Sequence, residues 1–308
     1  MQYVTFGETG ERLSQIGFGC SAIGGHEYGP ANDHDSIAAI HHALDLGINF
    51  FDVADVYGLG HSERVLGEAL QQKSNNAFIA TKVGVRWDER GRTTKDLSRD
   101  YIEQALKASL RRLQVECIQL YQIHWPDART PIEDVMETLT RCRDAGWIRH
   151  IGCCNFDKAL LDRAETAGEM ASLQIPFSLI QPEAGDYAAT ESKRGLLVQA
   201  YNVLGRGLLT GKFRPGASFS GTDTRSRSEL FRPDAFKRAE DAVRRLTAIA
   251  QRRNKTPSQV AIRWVLDRGG VGIALTGIRS VSQAEQNAGS AGWSLERSEV
   301  AFLEGAGD

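Results

Sequence analysis

The sequence predicts an α/β fold, a (β/α)8 TIM barrel with an N-terminal β-hairpin and C-terminal extra helices. Three observations predict it. Helical patterns and short apolar strands alternate through most of the 308 residues, which builds a parallel sheet with helices outside it. Glycines close successive helices just ahead of the next strand, at Gly47, Gly146, Gly195 and Gly269, where a left-handed cap turns the chain back. The count of such units is near eight, with no linker or break in composition. That favours a closed barrel over an open sheet, and one domain over residues 1–308.

In chain order, residues 2–6 and 11–15 flank Gly7–Gly10 and read as a short hairpin. Gly17-Phe18-Gly19 reads as the tight exit of the first barrel strand. Apolar strands follow at 48–52, 78–82, 117–124, 147–154, 196–201 and 271–276, with a weaker one at 172–175. Thr130-Pro131-Ile132-Glu133 and Thr256-Pro257-Ser258-Gln259 both read as capping boxes with proline at the first helical position. Residues 206–233 are rich in Gly, Ser and Arg and lack periodicity. A segment that long is a lid, a binding loop or a disordered insertion.

Composition narrows the function. The chain is 41% apolar and 25% charged with a net charge of −2, so nothing electrostatic points to nucleic acid or an anionic membrane. No apolar run reaches the length of a membrane span, and the first ten residues lack the pattern of an export signal. Five cysteines, Cys20, Cys117, Cys142, Cys153 and Cys154, are odd in number and lack C-x-x-C spacing. That fits reduced thiols in the cytoplasm.

Chemistry is expected where barrel strands end, because the loops after the strands share one face. Asp52 ends one strand, Tyr57 lies in its loop, Lys82 ends the next strand and His124 the one after. Singly, each has a bland reading: a turn-forming Asp, a surface Tyr, a rim Lys, a core His. Jointly they make a device. An ammonium stabilises phenolate and lowers a phenol pKa that is otherwise about 10, and a carboxylate keeps the ammonium charged and oriented. The Tyr then exchanges a proton with an oxygen near neutral pH, and the His donates a hydrogen bond to that oxygen. With no metal ligand set in view, this suits carbonyl reduction by a bound cofactor. No G-x-G-x-x-G follows an early strand, so the cofactor site is expected to be of a non-Rossmann kind. His41 and His42 read as surface or packing residues, and His26, His34, His61 and His150 have no evident partner.

Residues 49–63, Ala80-Thr81-Lys82, 120–127, 148–152, Asn155-Phe156, 207–212 and 277–287 resemble, in order, the aldo-keto reductase superfamily. Residues 82–88 and Gly292-Trp293-Ser294-Leu295 are similar to its bacterial general stress branch. The resemblance implies a hairpin-plugged barrel, NADP(H) extended across the top, and reduction of carbonyls to alcohols. It implies Tyr57 as general acid, Lys82 and Asp52 as its assistants, and His124 as the group that orients the carbonyl. Asn155 and Gln174 match the holders of the nicotinamide carboxamide, and Tyr201 matches the ring stacked on the nicotinamide. Leu208 and Lys212 fall in the loop over the pyrophosphate, and Gly277, Arg279, Ser280, Gln283 and Asn287 at the adenosine end. Ser280–Gln283 also reads as a capping box, so a helix N-terminus and the Arg279 guanidinium would meet a 2′-phosphate. Departures from the family pattern are Cys154 for a Ser, Asn202-Val203-Leu204 for Ser-Pro-Leu, Ser178 for an Asn and Gln286 for a Glu.

Trp87, Trp125 and the loop 224–231 are the candidate walls of the substrate pocket, while Trp147, Trp264 and Trp293 read as core. The expected partner is a small carbonyl or alcohol. The alternatives are an NADPH-binding regulatory or sensor subunit with little turnover, and a metal-dependent barrel hydrolase using Asp52, Asp55 and His124. The second lacks a clear ligand cluster.

Overall fold

The computed structural model describes residues 1–25, 28–73, 77–219 and 223–305. His26 lies outside the described residues. The hairpin is β1 (Tyr3–Thr5) paired antiparallel with β2 (Arg12–Ser14). The alternation then begins with β3 (Ile16–Gly19), α1 (Asp33–Asp45), β4 (Phe50–Asp52), α2 (His61–Gln72) and β5 (Phe78–Val83). A second hairpin, β6 (Val85–Trp87) with β7 (Thr93–Lys95), precedes α3 (Arg99–Leu113). Next come β8 (Ile118–Ile123), α4 (Ile132–Asp144), β9 (Ile148–Cys154), α5 (Lys158–Ala167), β10 (Ser172–Pro176), α6 (Gly185–Lys193) and β11 (Leu197–Tyr201). The chain ends with α7 (Pro233–Arg253), α8 (Pro257–Asp267), β12 (Ile273–Gly277), α9 (Val281–Ala288) and α10 (Arg297–Leu303).

Strands β3, β4, β5, β8, β9, β10, β11 and β12 pair in parallel and in chain order, and β12 pairs back onto β3 to close the barrel. The residues explain this. Every residue of β5 is buried, the continuous apolar run of a strand covered on both faces. The four predicted glycine caps all hold positive φ, between +78° and +98°. Of the extra helices, α7 lies in the connection between β11 and β12 and α10 follows α9. The weak strand reading at 172–175 is a full barrel strand, paired with both β9 and β11.

Two capping expectations split. Thr256 forms the full box with Gln259. Thr130 does not: its hydroxyl turns back to Asp127 at 3.2 Å, and Pro131 becomes the N-cap of α4 with no side-chain cap. The Thr130 hydroxyl is held by donating to the Asp127 carboxylate, and its oxygen accepts from no N–H of α4. The β6–β7 hairpin was not foreseen, because its strands are short and one face is solvated.

The core has two parts. A large apolar layer lies between the barrel and its helices, centred on residues such as Phe18, Phe51, Tyr121 and Trp264. A smaller one plugs the lower end of the barrel, where Phe6 and Leu13 of the hairpin pack on Phe50, Phe78, Leu120 and Ile273. Trp264 is fully buried, whereas Trp147, just before β9, and Trp293, between α9 and α10, are half-buried against the outer layer. The cysteines are all free thiols. No helix among the described residues is long and apolar enough to cross a membrane.

Candidate active site

The four expected residues meet at the end of the barrel opposite the hairpin. Register does this: Asp52 lies beside Gly19 and Ala80, and Lys82 beside Gln122, so their side chains converge on one interior. Lys82 Nζ donates to Asp52 Oδ2 at 2.8 Å, to the Val53 carbonyl at 2.9 Å and to Tyr57 Oη at 3.4 Å. Its three N–H donors are thus all directed, with the ammonium fully buried against its carboxylate. The Tyr57 and His124 rings meet edge-on with centroids 5.8 Å apart.

Tyr57 is held by backbone. Val53 N–H donates to Ala80, Tyr57 N–H to Ala54 and Ser62 N–H to Tyr57, each within 2.8–3.2 Å. Below this loop, Glu63 is fully buried and accepts from Thr81 Oγ1 and Arg112 Nε, both at 2.6 Å. Above it, the Gly58 backbone touches Gly24 so closely that a Cβ on Gly58 would stand 2.2 Å from the Gly24 carbonyl oxygen.

His124 stays neutral. Removal from water, and then the Lys82 charge, push its imidazolium pKa well below the ordinary value. Its Nδ1 is buried with no hydrogen-bond partner among the described residues. Keeping the proton on Nε2 avoids burying an unpaired N–H and leaves a donor for the cleft, whose wall His124 forms.

That cleft, about 580 Å³ in volume, runs from Asp52, Tyr57 and His124 past Asn155, Gln174 and Tyr201 to Arg206, Lys212, Gly277, Arg279, Gln283 and Asn287. Asn155, at φ +62°, donates to the His124 carbonyl at 3.0 Å and accepts from Tyr201 Oη at 2.7 Å, tying three strand ends together. One of its N–H groups and one lone pair are left for a ligand. Gln174 donates to Asp52 Oδ1 at 2.8 Å. Leu208 lies beneath the loop, packed with Phe236 and Ala239. Ser280 caps α9 by accepting from Gln283 N–H, but the Gln283 carboxamide accepts from Arg279 N–H, one residue off a true box.

Trp125 lines the cleft and Trp87 does not: Trp87 lies on β6, outside the lining residues. Of the loop 224–231, Thr224 and Arg225 reach the wall. His61 bonds Asp33 at 2.8 Å and His150 pairs with Glu11 at 3.4 Å, so both have structural partners. Sequence reasoning carried Arg206 only as the start of the long loop, and it missed Tyr28 at the wall, and Gln122 and Gln199 beneath it. The last two had a signal: each stands two residues before a wall residue, His124 and Tyr201, on the inward side of its strand.

The far half of the cleft is cationic. Lys212 has its pKa lowered by desolvation and then by the Arg225 and Arg279 charges. Of the lining residues only Asp52 is a carboxylate, and Lys82 already occupies it. Arg225 is paired with Asp223 behind the wall, but among the described residues Arg206, Lys212 and Arg279 have no carboxylate partner, and such cations in one groove call for a polyanion.

Comparison with known proteins agrees. The profile of the aldo/keto reductase family matches residues 15–308. Aldo-keto reductase YhdN of Bacillus subtilis is 36% identical over 299 residues, covering 96% of this chain and 90% of its own. Aldo-keto reductase yakc [NADP(+)] of Schizosaccharomyces pombe is 33% identical over 288 residues, covering 91% and 84%. The glycerol dehydrogenase of Gluconobacter oxydans superposes with a TM-score of 0.91 at 36% identity, over 99% of this chain and 94% of that one. On sequence profile, relatives and barrel alike, this chain is an enzyme of the aldo/keto reductase family.

Proposed function

We propose that the protein is an NADP(H)-dependent oxidoreductase that reduces aldehydes and ketones, sugar carbonyls among them, to alcohols. The observation that carries the reading is the Lys82 ammonium, bonded to Asp52 at 2.8 Å and to Tyr57 Oη at 3.4 Å, at the closed end of a cleft with a cationic far end. The residues present fit the dinucleotide: Arg206, Lys212 and Arg279, without a carboxylate partner among the described residues, suit a pyrophosphate and a 2′-phosphate. A relative 33% identical carries NADP(+) in its name, and one 36% identical is a glycerol dehydrogenase, which makes a polyol a reasonable substrate in the oxidative direction.

Asn155 and Gln174 would hold the carboxamide and Tyr201 the nicotinamide face. The loop that carries Leu208 and Lys212 would cover the pyrophosphate, and Gly277, Arg279, Ser280, Gln283 and Asn287 would hold the adenosine end, with Arg279 at the 2′-phosphate. When bound, the cofactor supplies the hydride. The protein supplies the rest. Tyr57 gives its phenolic proton to the carbonyl oxygen, Lys82 stabilises the phenolate left behind, and Asp52 keeps Lys82 charged and aimed. Neutral His124 donates a hydrogen bond to the same oxygen and orients the carbonyl, and Trp125 walls the pocket.

The test is loss of NADPH absorbance with a panel of aromatic, aliphatic and sugar carbonyls. Tyr57→Phe should lower turnover by about 10²–10⁴-fold, the usual share of a positioned acid, with NADPH binding nearly unchanged. Tight NADPH binding without turnover on any carbonyl would instead favour a sensor subunit.

A further inference from the structure

Beneath the catalytic end, the barrel is filled by amides rather than hydrocarbon. Gln122, Gln174 and Gln199 are each at most 3% exposed. Gln174 Nε2 donates to Asp52 Oδ1 at 2.8 Å and to Gln199 Oε1 at 3.1 Å, and Gln199 Nε2 donates to Gln122 Oε1 at 3.1 Å. Asp52, ionised opposite Lys82, only accepts, and this sets the direction of the whole chain. Gln174 must turn Nε2 toward Asp52. Its second N–H then needs an acceptor, so Gln199 must present Oε1. The freed Gln199 Nε2 finds Gln122 Oε1, and the chain ends there, with Gln122 Nε2 buried and without a hydrogen-bond partner among the described residues. Gln174 lines the cleft with both N–H groups spent. Its Oε1 is left for a ligand.

We propose that Gln199 and Gln122 are positioning residues, which lock the Gln174 amide so that the cleft is offered an acceptor and never a donor. This rests on the proposed nicotinamide site, and it adds a selectivity to it: position 174 recognises the N–H of a carboxamide, and the same amide braces Asp52 under Lys82. Without Gln199, the second Gln174 N–H has no buried acceptor. The amide is then free to rotate, and both cofactor recognition and the Asp52 brace loosen together.

Three ligands separate the possibilities, each titrated against the intact protein by fluorescence: NADPH, its reduced 3-acetylpyridine analogue, which lacks the carboxamide N–H, and 2′-phospho-ADP-ribose, which lacks the nicotinamide. The wild type should bind NADPH about threefold to tenfold more tightly than the acetylpyridine analogue, the worth of one net hydrogen bond. Gln199→Met should lose most of that preference while binding 2′-phospho-ADP-ribose as the wild type does. Gln199→Glu should keep the preference, since a carboxyl oxygen accepts from Gln174 in either protonation state. Gln122→Met, one bond further away, should show a smaller loss of the same kind and serves if Gln199→Met does not fold. A full preference in the Met variants, or an equal loss of affinity for all three ligands, overturns the proposal while leaving the site intact. A wild type that binds NADPH without preferring it to the acetylpyridine analogue also overturns it. A wild type that fails to bind NADPH overturns the nicotinamide reading itself.

Discussion

The chemistry of single residues turns on what burial does to charge. His124 has a folded-state pKa well below its ordinary value through desolvation and the Lys82 charge. The unfolded chain, with an ordinary His pKa of about 6.5, therefore binds more protons below that pH, and stability must fall as pH drops through it. His124→Gln cannot titrate. Urea unfolding near pH 7.5 and 5.5 should show a stability–pH slope flatter than wild type, by at most about 1.4 kcal/mol per pH unit, and an unchanged slope would refute the neutral imidazole. The residues whose meeting was legible in the sequence are those fixed by strand ends: Asp52, Lys82 and His124 stand where the pleat stops, and Tyr57 five residues beyond Asp52. Gln122 and Gln199 were overlooked because a polar residue within an apolar strand has no partner visible in the sequence. Trp87 was misplaced for the opposite reason: an aromatic close to Lys82 in sequence is carried away on a hairpin.

Elements place those residues through contacts that involve little or no side chain. The loop after β4 rests on the 3-10 turn Cys20–Gly24, where Ser62 Oγ donates to the Cys20 carbonyl at 2.6 Å and Gly58, at φ +57°, touches Gly24. Gly58→Ala meets both a left-handed backbone and the Gly24 carbonyl, so the loop must move and Tyr57 with it. Stability should fall by more than about 1 kcal/mol, and kcat by about 10²-fold, the scale of a 1 Å misplacement of a catalytic group. Wild-type kcat in that variant would show that the contact is slack. At this scale the alternation of strand and helix was legible because buried parallel strands are written as apolar runs between glycine caps. The cap at Thr130 was not, since the turn that hands its hydroxyl to Asp127, three residues back, is not written in the capping-box pattern.

Over the whole molecule, charge is nearly balanced at −2, yet the cleft gathers Arg206, Lys212 and Arg279, which have no carboxylate partner among the described residues, beside an Arg225 already paired with Asp223. A groove of one sign steers an anionic ligand and weakens as salt screens it. Arg279→Ala should raise the Kd for NADPH by about 10- to 100-fold, the worth of a charged hydrogen bond, and leave that for NADH within about twofold. Equal losses for both cofactors would place the 2′-phosphate elsewhere. The basic wall was visible in the sequence as a segment and not residue by residue, because 206–233 has no periodicity to say which of its basic residues face the cleft.

The seam of the barrel has a consequence during synthesis. β3 ends at residue 19 and its closing partner β12 begins at residue 273, so nearly the whole chain must leave the ribosome before the two can meet. Until then the nascent sheet grows from one edge while the other, β3, stands open, a template for pairing with any neighbouring strand. Closure is therefore a late, all-or-none event. The growing polypeptide is exposed to aggregation for most of its translation, and chaperone demand should end only when β12 emerges.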